Sequence, residues 1–461
     1  MRIKKEVRKI VASVLAFLMV VSLIPVNSLM TKANAASKTT FEGGKTVEDG
    51  TWKGWTWNVF GSSTDVTKAF ATDTGNGGVT LEVTGDKGKI NGSASDQGLN
   101  TFLYELDKSY DFTITAQAKV DTLAANAQAA FGLTIRDNVG AHGNTAKLTA
   151  DKNNFAFVGG YGNQAASGHG NAGYKTTALA HTRLGESPEV GGTYDLAIQK
   201  VGDSVKLYFN GEVAAECSAD DLITDNAMYV GLFAARNAKV TFNNVKLAYT
   251  QDSSSVKVTT NVTAPKKTTY CAGNTYEDVD LTGFKATVSV DGKEREITAS
   301  DCVVDMSNDP FAEVTDAGKL NLLYLGQTIE VPITVIKEVV SDMYIEYMPV
   351  KTDYMVTDTA LDFTGLVGKV VYNSGRTFDL KTLIDSNDTN TKVSDVDFTT
   401  AGNKEVTVSH TYGDVTKEVV IPISVSDATV KNITITAPNT TRFYTDTEYD
   451  ADAYVEGLTI T

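Results

Sequence analysis

Apolar and polar residues alternate along most of the chain beyond residue 40. In Asp111–Val120, Phe112, Ile114, Ala116, Ala118 and Val120 fall on one face. Tyr194, Leu196 and Ile198 repeat the pattern, as do Val205, Leu207 and Phe209. Gly202-Asp203 marks one turn. Asn210-Gly211 marks another and predicts a type I′ hairpin, because both central residues of that turn need positive φ. Val240–Phe242 and Val245–Leu247 flank Asn243-Asn244 as a closing hairpin or bent strand. No segment after residue 40 carries a convincing 3.6-residue period. Short strands with regular Gly/Asn turns predict an all-β chain, with a jelly-roll β-sandwich over residues 36–250.

Gln251–Ser255 reads as a polar linker, and beyond it the chain repeats itself. Tyr270 precedes Leu281-Thr282-Gly283-Phe284, Tyr354 precedes Phe363-Thr364-Gly365-Leu366, and Tyr444 precedes Val455-Glu456-Gly457-Leu458. The tyrosine-to-glycine spacings are 13, 11 and 13 residues. Asp316-Ala317-Gly318 with Val331-Pro332-Ile333 matches Thr400-Ala401-Gly402 with Ile421-Pro422-Ile423. The copies span 256–338, 339–427 and 428–461, tandem sandwiches of which the last is incomplete. A sandwich cut there predicts that the chain is a piece of a longer protein.

Residues 1–35 read as a secretory signal. Arg2, Lys4, Lys5, Arg8 and Lys9 precede an apolar run, and Ala33-Asn34-Ala35 fits a cleavage site. The expected location is therefore secreted or cell-surface, with no integral membrane span once the signal is cleaved. Six Lys/Arg and one Glu leave with it, and the remaining chain carries a net charge near −21. With 41 Lys+Arg against 57 Asp+Glu and no basic block, nucleic acid is excluded as a partner. Four histidines and three cysteines leave little material for a zinc or iron–sulfur site. A monomer is expected.

Several phrases in the first unit carry a resemblance: Trp57–Gly61, Gly88-Lys89-Ile90, Phe131-Gly132-Leu133-Thr134-Ile135-Arg136-Asp137 and Val230–Ala238. This unit resembles the concanavalin-like (laminin-G-like) jelly-roll module of secreted bacterial pectate lyases and related polysaccharide-degrading enzymes. The later copies resemble bacterial Ig-like repeats of group 3, on the tyrosine, the Leu-Thr-Gly-Phe type of segment, the Val290-Asp291-Gly292 turn and the Ala-Gly hairpin. The first resemblance implies carbohydrate handling, with a plant or cell-wall polysaccharide as partner and pectin as its best single guess.

Sugars stack on aromatic faces and take hydrogen bonds from planar polar groups. Trp55 and Trp57 share one strand face, either as a stacking platform or as core. Arg136 could pair with a uronate carboxylate or serve a structural ion pair with Asp137, and Arg236 is either a turn residue or a far wall of the same site. Tyr161, His169 and Tyr174 belong to a Gly- and Asn-rich stretch that reads as a binding loop or as a bland insertion. Calcium is the expected ion if any binds, through Asp96-Gln97-Gly98 or Asp151-Lys152-Asn153. Cys271 and Cys302 are expected to form a disulfide, as an exported context permits.

No nucleophile elbow, zinc-binding His-Glu-x-x-His or phosphate loop occurs, so no catalytic residue is assigned. The expected function is a carbohydrate-binding accessory region, the N-terminal part of a pectate lyase-type enzyme, with the repeats as spacers. The alternative is a non-enzymatic adhesin or stalk.

Overall fold

In this computed structural model the structure describes residues 39–61, 65–90, 97–126, 128–146, 148, 153–162, 172–176, 179–184, 188–428, 433–438 and 455–460. The expected signal and its cleavage site lie outside them, as do His169, Asp96, Asp151 and Tyr444. The chain is all-β apart from short helical segments such as Ala219–Leu222 and Leu380–Asp385. Among the described residues no helix is long and apolar enough to cross a membrane. Contacts divide the chain into two units: residues 1–268, 275–310 and 317–334, and residues 269–274, 311–316 and 335–461.

The first unit is dominated by a jelly-roll sandwich of two antiparallel sheets. The eight-stranded sheet runs Thr39–Thr40, Ala69–Asp73, Val79–Val83, Ala238–Thr250, Asp111–Leu123, Thr193–Val201, Ser204–Phe209, Glu212–Ser218. The seven-stranded sheet runs Leu179–Thr182, Ala172–Lys175, Phe155–Tyr161, Ala130–Arg136, Ala227–Ala235, Gly98–Asp107, Trp55–Gly61. The alternating residues Phe112, Ile114, Ala118 and Val120, with Ile198, Val205 and Leu207, are fully buried between the sheets against Leu133, Ile135, Val158, Val230 and Leu232. The expected hairpin forms, with Asn210 at φ +49° and Gly211 at φ +84°.

The outer face of the seven-stranded sheet is buried too. Phe60, Leu99, Phe155, Phe157, Tyr161 and Phe233 form a second apolar cluster there, covered partly by Val139 and Leu148. Strands Ala130–Arg136 and Phe155–Tyr161 are consequently buried at every position.

The segment expected as a linker is a structured turn. Ser253–Ser255 forms a 3₁₀ turn capped by Asp252, whose Oδ1 accepts the Ser254 N–H at 2.9 Å. Segments 275–310 and 317–334 of this unit then bond to the outer face of the eight-stranded sheet. The Thr115 hydroxyl donates to the Ser300 carbonyl at 2.6 Å, and the Leu325 N–H donates to Thr113 Oγ1 at 3.1 Å. Thr250 Oγ1 donates to Asp291 at 2.6 Å, and Ala197, Tyr208 and Val303 share a small apolar cluster.

The sequence repeat is a repeated turn. Gly283, Gly365 and Gly457 have φ of +91°, +81° and +80°, and the N–H after each donates back to Leu281, Phe363 and Val455 in turn. A left-handed residue at this position favours glycine, which is why the spacing keeps one. Asp280 and Asp362 add the same side-chain bond, to the N–H of Thr282 and of Thr364. In the third copy the described strands are Ile435–Thr436 and Thr459–Ile460, paired with each other.

The second unit contains a three-stranded sheet, Val340–Tyr347, Val367–Tyr372, Thr377–Asp379, and a four-stranded sheet, Asp353–Met355, Val415–Ser426, Gly402–Tyr412, Thr391–Val393. His410 is buried in it, bridging the Tyr372 hydroxyl and Thr391 Oγ1 at 2.8 Å each. Burial pushes its pKa below the usual histidine value, although Asp388 pulls the other way. A depressed folded value means that the unfolded chain takes the proton first. This unit should therefore lose stability as pH falls below about 6.5, and the loss should continue down to the folded pKa. Melting of the chain across pH 5–8 should show this acid sensitivity in one transition, and His410→Gln should flatten it.

The expected disulfide does not form. The Cys302 thiol is a free, buried group that donates to the Thr298 carbonyl at 3.6 Å. Burial pushes that thiol well above its usual pKa, leaving it protonated and a poor nucleophile for exchange.

Candidate functional site

Burial removes the tryptophan pair from the surface. Trp55 is 5% exposed and Trp57 is 8% exposed. Trp55 stacks on Phe102 at 5.3 Å between centroids and meets Trp52 edge-on at 5.6 Å. Trp57 Nε1 donates to Asn100 Oδ1 at 2.7 Å, and Asn100 Nδ2 in turn donates to the Phe70 carbonyl at 2.9 Å. The two do share a face, but it is the inner one, so neither can offer a ring to a sugar. Tyr174 also packs on the inner core.

Arg136 is on the outer face of the seven-stranded sheet and is fully buried. Its guanidinium lies over the rings of Phe155 and Phe60 at 5.1 and 5.6 Å. It donates to Gln97 Oε1 at 2.5 Å, Asn153 Oδ1 at 2.9 Å and the Asn138 carbonyl at 3.2 Å. Arg136 thus ties the segment after its own strand and the segment before Phe155 to the sheet, and it cannot meet a uronate directly. Burial lowers its pKa to about 10, against the pull of Asp137. Asp137 accepts the Asn154 N–H at 2.9 Å, and burial pushes its pKa up to about 6 despite Arg136. Cross-strand register places Lys175 in one row with Phe155 and Arg136. Gln97 and Asn153, expected as calcium ligands, spend their oxygens on the guanidinium. Among the described residues no cluster of three or more His, Cys, Asp or Glu could hold a metal.

Tyr161 and Arg236 do come together, at the opposite end of the same face. Tyr161 pairs with Ala130, and Ala130 pairs with Ala235, so Arg236 follows directly in that row. Six residues of strand separate this row from Arg136, about 20 Å at the usual rise. Arg236 sits at φ +53°, its Nε donating to the Gly88 carbonyl at 3.1 Å. Burial raises the Tyr161 pKa, and the positive charge of Arg236 opposes the rise. On the open side of Tyr161 lies His181, stacked nearly parallel at 5.0 Å and 11°. His181 is exposed, from the short edge strand Leu179–Thr182.

His181 was not recoverable from the sequence, because a lone histidine in a four-residue strand has no pattern. The one signal is Gly173. It pairs with both His181 and Phe157, and any side chain there would lie 2.9 Å from the Phe157 ring. The glycine opens the row so that His181 can lean over Phe157 and Tyr161. The arrangement is an exposed imidazole stacked on a buried phenol, with the Arg236 guanidinium nearby and Arg136 and Lys175 buried about 20 Å away on the same sheet.

The molecule is thus an all-β, jelly-roll-containing chain with an aromatic and basic outer face. No protein-family profile matches the sequence. Pectate lyase L of Thermoclostridium stercorarium is 29% identical over 327 residues, 70% of this chain and 24% of that protein. The chain therefore spans about a quarter of that relative's length. Among solved structures, carbohydrate-binding module CBM66 from Bacillus subtilis covers 45% of this chain and 98% of its own, at 18% identity and a TM-score of 0.25. Lectin II from Ulex europaeus covers 46% of this chain and 98% of its own, at 11% identity and a TM-score of 0.28.

Proposed function

We propose that the sandwich is a carbohydrate-binding module of a secreted, polysaccharide-degrading protein, that the later copies are Ig-like spacers, and that acidic plant polysaccharide of the pectin class is its ligand. The observation that carries this reading is the 327-residue similarity to a pectate lyase, which covers 70% of this chain. The outer face supports it. His181 on Tyr161 offers a stacking surface and Arg236 a partner for a uronate carboxylate. Arg236, half-buried on that face, supplies a local positive charge within a chain of net charge −16.

Affinity electrophoresis of the chain through gels containing pectin, polygalacturonate, xylan, levan or no polymer, each with calcium or EDTA, tests the reading. Selective retardation by the uronate polymers is expected. His181→Ala should weaken it roughly two- to ten-fold, since such ring contacts are worth about 0.5–1.5 kcal/mol. Equal mobility in every gel would sink the proposal and favour the stalk.

A further inference from the structure

A crevice lies away from that face, inside the first unit, where residues 276–306 meet the eight-stranded sheet. Its volume is about 330 Å³, at the lower end of the range of small-molecule sites, about 300–1,000 Å³. Gln117, Asp195, Asn210 and Asn244 supply planar polar groups from the sandwich, and Tyr276, half-buried, supplies a ring. Each polar group is held by the local fold. The Asn210 side chain accepts the Asp195 N–H at 2.9 Å from its type I′ turn, and Gln117 Nε2 donates to Asp195 at 3.2 Å. A bulge in strand Ala238–Thr250, between Asn243 and Lys246, sets Asn244 at φ +51° and leaves it exposed at the rim. The opposite wall is fixed by the Thr115–Ser300 bond and by Tyr276, whose hydroxyl donates to the Asp305 and Asn308 carbonyls.

Amide and carboxylate side chains beside the Tyr276 ring fit the hydroxyls and C–H faces of a sugar. Among the described lining residues Asp195 is the one charged side chain, with no Lys or Arg beside it. A uronate would meet an unopposed carboxylate, whereas a neutral sugar would find both donors and acceptors. We infer that this crevice is a second carbohydrate site, one that takes a neutral sugar residue. It is independent of the outer face in residues and in ligand charge.

The test is calorimetric titration of the full chain with xylotetraose and with β-1,4-galactotetraose, with and without excess polygalacturonate. Binding of at least one neutral tetrasaccharide is expected, uncompeted by the polyanion. Ala299→Trp, which fills the crevice from its wall, should weaken that binding about ten-fold or more. Asn244→Gly keeps the left-handed backbone, removes one rim amide, and should weaken binding less. It decides the question if Ala299→Trp fails to fold. Unchanged affinity in the folded variants, no neutral tetrasaccharide bound, or displacement by polygalacturonate would each overturn the inference.

Discussion

Replacing Trp55 with alanine should destabilise the sandwich by about 3–5 kcal/mol, as expected when a large buried aromatic is truncated. The ring is stacked on Phe102, edge-on to Trp52 and in contact range of Tyr104 at 6.0 Å. Gly231 opens the space it fills, since a Cβ there would stand 2.9 Å from Trp55 Cζ3. The deletion therefore leaves a hole that the surrounding strands cannot close. Denaturant melts of the variant should show a lower midpoint with an unchanged slope. Below the melting range, retardation by a polysaccharide should match that of the parent chain. A variant that kept its midpoint but lost retardation would place Trp55 at the ligand instead.

Arg136→Met should be comparably severe at pH 8, about 3–5 kcal/mol, because it removes the stronger of the two counter-charges of the buried Asp137, leaving only Lys175. It also removes the bonds to Gln97, Asn153 and the Asn138 carbonyl. The sign of the pH dependence follows from Asp137. Its folded pKa, about 6, lies above the unfolded value of 3.8. Ionisation of Asp137 thus weakens the fold as pH rises through about 6, and more so once the arginine is gone. The gap between variant and parent should shrink from pH 8 toward pH 4. Adding Asp137→Asn should recover part of the loss at pH 8. A gap independent of pH would mean that the arginine acts through packing alone.

The alternating strands were legible in the sequence because one face of each is buried and the other is not. Phe112, Ile114 and Val120 follow that rule and are core. The rule fails on the seven-stranded sheet, where Phe155 and Phe157 are buried on the outer face while Ala156 and Val158 are buried on the inner. Period-two reasoning could place Trp55 and Trp57 together, but not choose between two buried faces. For the same reason the pattern leaves Arg136 open between a uronate partner and a structural ion pair, since strand parity does not say whether the outer face is covered. The repeated Leu-Thr-Gly-Phe type of segment was readable because a left-handed turn restricts its residue choice. The pairing of Tyr161 with His181 depends on register across Gly173, which no local pattern encodes.

The turn that leads out of the sandwich has a mechanical consequence. Strand Ala238–Thr250 is flanked by Val79–Val83 on one side and Asp111–Leu123 on the other, and its last residue, Thr250, is bonded to Asp291 of the following segment. The segment beyond residue 256 is bonded back onto the same sheet, through Leu325 to Thr113 and Ser300 to Thr115. Tension arriving from beyond residue 334 must therefore break these clamps before it loads the strand, whose closing residues, 246–250, have a single neighbour in Asp111–Leu123.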